Sequence, residues 1–380
     1  MKLIIRILLG IGAGVVIGLV ANEWVARLMV TISDLIGSFI FFMVPLIILF
    51  FITAGIAGLG KGGGKLLGFT VGISYLSTIL AGLLAVTVAM FVIPTLGIGA
   101  EGVASPSELE RFVDFELEPI FGVLTALTLA FVLGIGIAAT GASTFKRVME
   151  EGQGIIELII RKAIIPLLPF YIAGCLAEMS YDGTVFETLG VFGIVLLLAI
   201  SMHLFWLVIQ YSVAGVVNGA NPFRLLKSML PAYITALGTM SSAATIPVTV
   251  SSVKKNNIRE SIADFVVPLC ANIHLSGSTI TIVTAATAVM YVTPGLDFPG
   301  FVGMIPVILM LGVIMIAAPG VPGGAVIAAT GILSSMLDFN EAAIALMIAI
   351  YLAQDSFGTA TNVTGDGAIA LILTALKRIN

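Results

Sequence analysis

Asp355 and Asp366 lie inside an apolar stretch, residues 340–376, where a carboxylate has no business unless it has a task. With Thr359 and Asn362 they fall at i, i+4, i+7 and i+11, which is one face of a helix. Ionisable side chains within membrane spans are rare and functional, so this face must point at protein, ions or water rather than lipid. Asp366, next to Asn362 and Thr364, suits Na+, which takes hard oxygen ligands. Asp355 suits the ammonium of a substrate. The alternative is a pair of structural carboxylates matched by Lys or Arg. It is the weaker reading, because Arg161 and Lys162 are the only cations in the middle of a comparable apolar run, the others standing at run ends.

A second polar cluster interrupts residues 260–292 at Asn272-Ile273-His274-Leu275-Ser276-Gly277-Ser278. Gly277 and the flanking hydroxyls of Ser276 and Ser278 free backbone carbonyls there, which is how discontinuous helices coordinate cations. His274 has two readings. It is either a proton carrier, since free imidazole titrates near pH 6.5, or a neutral side chain bonded to Ser and Thr neighbours. His203, with Trp206 and Gln210, reads as structural. Tyr75 and Thr78 share a face of the run 66–95 and either add oxygens to an ion site or simply pack.

The elements that must position these groups follow from composition. The 380 residues are 59% hydrophobic and 10% charged, with a mean hydropathy of +1.17. Soluble domains carry about 25% charged residues, so a soluble enzyme, a coiled coil, a disordered chain and a disulfide scaffold are all excluded. Cys175 and Cys270 lie in apolar stretches and say nothing about redox compartment. A net charge of −4 implies no nucleic-acid partner. There is no P-loop, HExxH or paired-cysteine metal site, and no cofactor is expected. Ser241 or Ser242 with His274 is the only nucleophile–base candidate, so the chain is not read as an enzyme. The cationic N-terminus opens an apolar run too long for a signal peptide's core; it reads as a first transmembrane helix.

Apolar runs lie at about 4–22, 35–58, 66–95, 119–144, 154–177, 188–217, 225–253, 260–292, 300–336 and 340–376. Each crossing takes roughly 20 apolar residues. Lys and Arg near the ends of the runs place the N-terminus inside. Arg161 and Lys162 fall within the fifth run, where they either snorkel or line an internal surface. Parity then fails twice. Residues 225–253 carry Arg224 and Lys227 at one end and Lys254, Lys255 and Arg259 at the other, so both ends belong inside. Residues 300–336 are bounded by Asp297, Asp338 and Glu341, so both ends belong outside. A hairpin that enters and leaves by the same face satisfies each. Their middles, Thr239-Met240-Ser241-Ser242-Ala243-Ala244-Thr245-Ile246-Pro247 and Ala318-Pro319-Gly320-Val321-Pro322-Gly323-Gly324, are small, polar or proline-broken. Broken backbone at membrane depth is tolerated only within protein or beside water. Paired interruptions in an inverted repeat point to a transporter's binding site. The fold expected is all-α and polytopic, with eight transmembrane helices and two re-entrant hairpins of opposite entry side.

Three segments resemble the dicarboxylate/amino acid:cation symporter family, the glutamate-transporter homologues. They are Ser241-Ser242-Ala243-Ala244-Thr245-Ile246-Pro247-Val248-Thr249, Gly320-Val321-Pro322-Gly323-Gly324 and Asn362-Val363-Thr364-Gly365-Asp366. The similarity covers nearly the whole chain. It implies a homotrimer; the short loops point to the plasma (inner) membrane, and Lys2, Arg6, Lys377 and Arg378 put both termini in the cytoplasm. A scaffold would comprise residues 1–64 (helices 1 and 2) and 119–180 (helices 4 and 5). An elevator-type transport core would comprise helix 3 (65–95), helix 6 (188–217), an inner hairpin (225–253), discontinuous helix 7 (260–292), an outer hairpin (300–336) and helix 8 (340–376). It implies substrate contacts from Ser241, Ser242, Val321, Gly324, Asp355, Thr359 and Asn362. It implies Na+ contacts from Tyr75, Thr78, Asn362 and Asp366, to which the polar break read above adds His274, Ser276 and Ser278.

The departures narrow the substrate. Members of the family that carry acidic substrates have an arginine either three residues after the aspartate or at the inner tip. Those positions are Gly358 and Met240 here. Gln354-Asp355-Ser356 and the residues through Asn362 look closer to the serine/threonine branch. The family's NMDGT break reads His274-Leu275-Ser276-Gly277-Ser278, one carboxylate fewer, which implies fewer Na+ ions or H+ in place of one. The expected function is Na+-coupled symport of a small neutral amino acid. The alternative is an acidic amino acid or C4-dicarboxylate, coupled to Na+ or H+.

Overall fold

The computed structural model describes residues 2–58, 64–96, 109–113, 115, 117–183, 185–316, 318 and 322–379, and every regular element among them is helical. In chain order they are α1 (Lys2–Val20), α2 (Glu23–Gly58), α3 (Gly64–Val92), α4 (Val123–Thr140), α5 (Ser143–Ile159), α6 (Ile165–Tyr181), α7 (Val185–Asn218), α8 (Pro222–Ser228), α9 (Leu230–Thr239), α10 (Ser242–Lys254), α11 (Glu260–Ile273), α12 (Ser276–Val292), α13 (Gly300–Met315), α14 (Gly324–Leu337) and α15 (Glu341–Ile379). Among the described residues, five helical segments are long and apolar enough to cross a membrane: 23–58, 65–95, 189–218, 260–292 and 341–376. Residues 5–20, 125–140, 300–315 and 324–337 form shorter apolar helices. Large apolar side chains such as Leu9, Phe91, Val132 and Phe186 are exposed on the outside, the inverse of a water-soluble protein.

Small residues let the helices approach. Cβ atoms added at Gly10, Gly14 and Gly18 of α1 would lie 2.5, 2.4 and 2.2 Å from the carbonyl oxygens of Pro169, Ala173 and Ala177 on α6. Gly12 faces open space. Spacing by four on both helices keeps the seam on one face of each. On α2, the Ser33 hydroxyl donates to the Tyr171 carbonyl of α6 at 2.8 Å.

The fifth apolar run is not one straight span. α5 is amphipathic and pairs its charges one turn apart, Lys146 with Glu150 and Arg147 with Glu151. A π turn, Ile160–Ile164, then joins it to α6. Arg161 lies in that turn, exposed, with its guanidinium 2.6 Å from Glu157; Lys162 beside it is also exposed. Neither lines an internal surface, because both stand on the charged face of α5 carried one turn further.

Two helical hairpins have limbs too short to span a bilayer alone. α9 and α10 have 10 and 13 residues, about 15 and 20 Å at 1.5 Å per residue. α13 and α14 have 16 and 14, about 24 and 21 Å. Met240 reverses the first hairpin in the left-handed region at φ 52°. Ser241 then caps α10, its Oγ accepting the Ala244 N–H, while the Thr245 hydroxyl donates back to the Ser241 carbonyl at 2.9 Å. At the hairpin's base, Lys254 pairs with Asp264 at 3.0 Å and Glu260 at 3.7 Å, fastening α10 to α11.

Candidate substrate and cation site

The run 260–292 is broken where its polar cluster stands. α11 ends at Ile273; His274 is extended and Leu275 is also non-helical, with φ of −118° at both, and α12 begins at Ser276. The first N–H groups of a helix lack partners within it. Here they are taken from outside: Asn362 Oδ1 on α15 accepts Gly277 N–H at 2.7 Å and Ser278 N–H at 3.3 Å. The other end of the same amide donates to Ser278 Oγ at 2.9 Å, which also accepts the Tyr351 hydroxyl at 3.0 Å. Asn362 therefore acts as a cap supplied by a neighbouring helix. No larger residue than glycine fits at 277, because a Cβ would lie 2.3 Å from the Gly358 carbonyl oxygen.

His274 is fully buried and meets Asp366, its Nδ1 2.9 Å from Oδ1. A carboxylate oxygen accepts, so Nδ1 carries a hydrogen. Nε2 lies 2.9 Å from Ser77 Oγ on α3, and Ser77 accepts from Gln210 Nε2 on α7 at 2.9 Å. A neutral imidazole satisfies this chain in a single direction: Gln210 to Ser77, Ser77 to His274, His274 to Asp366. The second oxygen of Asp366 is buried without a hydrogen-bond partner, as are Thr364 Oγ1, Ser276 Oγ and Gln210 Oε1. Among the described residues, no Lys or Arg pairs with either Asp355 or Asp366. A buried ionised carboxylate without a cation costs several kcal/mol, so this carboxyl either holds a proton or faces a cation. No group of three or more His, Cys, Asp or Glu is set to hold a metal among the described residues, so hydroxyl and carbonyl oxygens would complete any shell.

Asp355 lies higher on the same face. Its Oδ2 accepts the backbone N–H of Gly323 at 2.8 Å, and Oδ1 accepts the Thr359 hydroxyl at 3.4 Å. Gly323 sits in the left-handed region at φ 76°, turning the chain into α14, so the second hairpin rests its tip on this carboxylate. Ser241 and Ser242 stand at the first hairpin's turn and Gly324 opens α14. Val321 lies outside the described residues.

Asp355 with Thr359, Asn362 with Ser278, and Asp366 with His274 are thus brought together along α15. Tyr75 and Thr78 are not bonded to them: the Tyr75 hydroxyl donates to Leu309 on α13, and Thr78 to Ser74 within α3. Sequence reading passed over Ser77, Tyr351 and the Gly323 N–H, and set aside His203 and Gln210. The signal for Ser77 was a polar face on α3, Ser74 and Ser77, three residues apart. Gly358 packs on α12, where a Cβ would lie 3.4 Å from Thr281 Oγ1 and 3.5 Å from Ser278 N.

The profile of the sodium:dicarboxylate symporter family matches residues 3–376. The chain belongs to this family. Members of the sodium:dicarboxylate symporter family are transporters and not enzymes, and the intramembrane carboxylates of α15 find their place in that class. The chain is 30% identical over 236 residues to excitatory amino acid transporter 1 of Ambystoma tigrinum, an alignment covering 62% of this chain and 42% of that protein. The match therefore spans less than half the length of that relative.

Proposed function

We propose that the protein is a Na+-coupled symporter of a small neutral amino acid, of the size of serine, threonine or alanine. The observation that carries this reading is the pair of buried carboxylates on α15, unmatched by any Lys or Arg among the described residues and each set against broken backbone. Asp355 takes the substrate ammonium, and the tips of the two hairpins, through Ser241, Ser242, Val321 and Gly324, take the α-carboxylate together with Thr359 and Asn362. Asp366, Asn362 and the break at His274, Ser276 and Ser278 take Na+, with Tyr75 and Thr78 offering a deeper site. The chain crosses the plasma membrane eight times, both termini cytoplasmic. The hairpins α9–α10 and α13–α14 enter from opposite faces, as their short limbs and the charges at their bases support. Three copies assemble, and α3, α7 and α9–α15 move as an elevator against α1, α2 and α4–α6.

The names of the family and of the relative favour a second reading, an acidic amino acid or dicarboxylate coupled to Na+ or H+. A second substrate carboxylate would need a cation. Met240 and Gly358 offer none, and Arg161 and Lys162 stand exposed on another face. An unpaired buried charge costs several kcal/mol, and about 1.4 kcal/mol is tenfold in affinity. Uptake of labelled serine into proteoliposomes, driven by an inward Na+ gradient, separates the two. Unlabelled serine should compete at least about a hundredfold better than aspartate; equal potency selects the acidic reading.

A further inference from the structure

We propose that His203 of α7 is a positioning residue for the cation site: its ring N–H holds the Gly277 carbonyl and so fixes the helix break that Asn362 caps. The inference rests on the reading of that break as part of the Na+ site.

His203 is fully buried, with Nε2 3.0 Å from the Gly277 carbonyl oxygen and 3.1 Å from Thr281 Oγ1. A carbonyl only accepts, so Nε2 carries the hydrogen. Gly277 is then held on three sides. Its N–H goes to Asn362 on α15, its C=O takes His203 of α7 at 3.0 Å besides the longer bond from the Thr281 hydroxyl of its own helix at 3.3 Å, and its α-carbon lies against the Gly358 backbone. These contacts meet at one peptide and set the orientation of the first turn of α12. Seven residues further along α7, on the same helical face, Gln210 supports Ser77 and through it His274. One helix that carries none of the proposed ligands thus braces the break from both sides, His203 beyond it and Gln210 before it. Helix α12 could pack on α7 with apolar residues alone. A buried imidazole spent on a carbonyl whose own N–H side holds a site residue makes sense where the angle of that peptide matters.

The test compares His203→Leu, which keeps the bulk and loses the donor, with His203→Gln, whose amide N–H2 reaches about as far as Nε2. Serine uptake is measured against Na+ concentration, and against serine at saturating Na+. His203→Leu should raise the KM for Na+ about tenfold, the worth of one buried hydrogen bond. The KM for serine at saturating Na+ should rise less than about threefold, and His203→Gln should recover most of the Na+ affinity. A KM for Na+ unchanged in His203→Leu, or no better in His203→Gln than in His203→Leu, overturns the proposal. If the Leu variant does not fold, His203→Asn takes its place, since its shorter amide cannot reach Gly277; equal Na+ affinity of the Asn and Gln variants overturns it as well. Uptake by the unmodified protein that ignores Na+ would instead overturn the reading of the site on which the inference stands.

Discussion

At Asp366 a single neutral imidazole faces a buried carboxylate, and the consequence can be measured. Asp366→Asn keeps an oxygen for His274 Nδ1–H but removes the charge. The variant should reach the membrane in normal yield while its KM for Na+ rises about tenfold or more, the scale of a lost charge-assisted contact; Na+ titration of uptake and the size-exclusion profile report the two separately. The two glycines at the break should part company. Gly277→Ala drives a methyl to 2.3 Å from backbone that cannot give, whereas Gly358→Ala meets ordinary contacts at 3.4 Å and beyond. Thermal unfolding in detergent should fall by several degrees for the first, a cost of about 1–3 kcal/mol, and little for the second. The row Asp355, Thr359, Asn362 and Asp366 was legible from sequence because a helix converts spacing into a face. Ser77, His203 and Gln210 were not, because each meets its partner 74 to 197 residues away in the chain, and no local period reports that.

The turns at Met240 and Gly323 and the break at His274 fall within the segments singled out by small and polar residues. The join of α5 to α6 was missed for a physical reason: a π turn adds a residue without interrupting hydropathy, so 154–177 looked like one span. Entry of the two hairpins from opposite faces has a direct check. Single cysteines at Asn256, by the base of α10, and at Asn340, just before α15, are introduced into Cys175→Ser/Cys270→Ala protein. An impermeant maleimide should label the first only from the cytoplasmic side and the second only from the outside. Labelling of both from one side would make one hairpin a simple crossing.

For the molecule as a whole, stability in an apolar solvent must come from close packing rather than from hiding apolar surface. The α1–α6 seam shows where. Gly14→Leu should lower the unfolding temperature markedly, since even a Cβ comes within 2.4 Å of Ala173 O, while Gly12→Leu, with nothing within 4 Å, should leave it nearly unchanged. Fluorescence-detected size exclusion after heating compares the two. The single unbroken helix α15 has a further consequence. It is a ruler: Asp355 and Asp366 are eleven residues apart on it, about 16 Å at 1.5 Å per residue. A substrate ammonium and a Na+ ion at those two marks repel each other by only about 1 kcal/mol at an effective dielectric of 20. They do not touch, and the rod between them does not shorten. Any stoichiometric bond between ion and cargo must therefore be struck by the parts that lean on the rod, the tip resting on Asp355 and the break resting on Asn362, which makes the thermodynamic linkage a property of the joints and not of the charges.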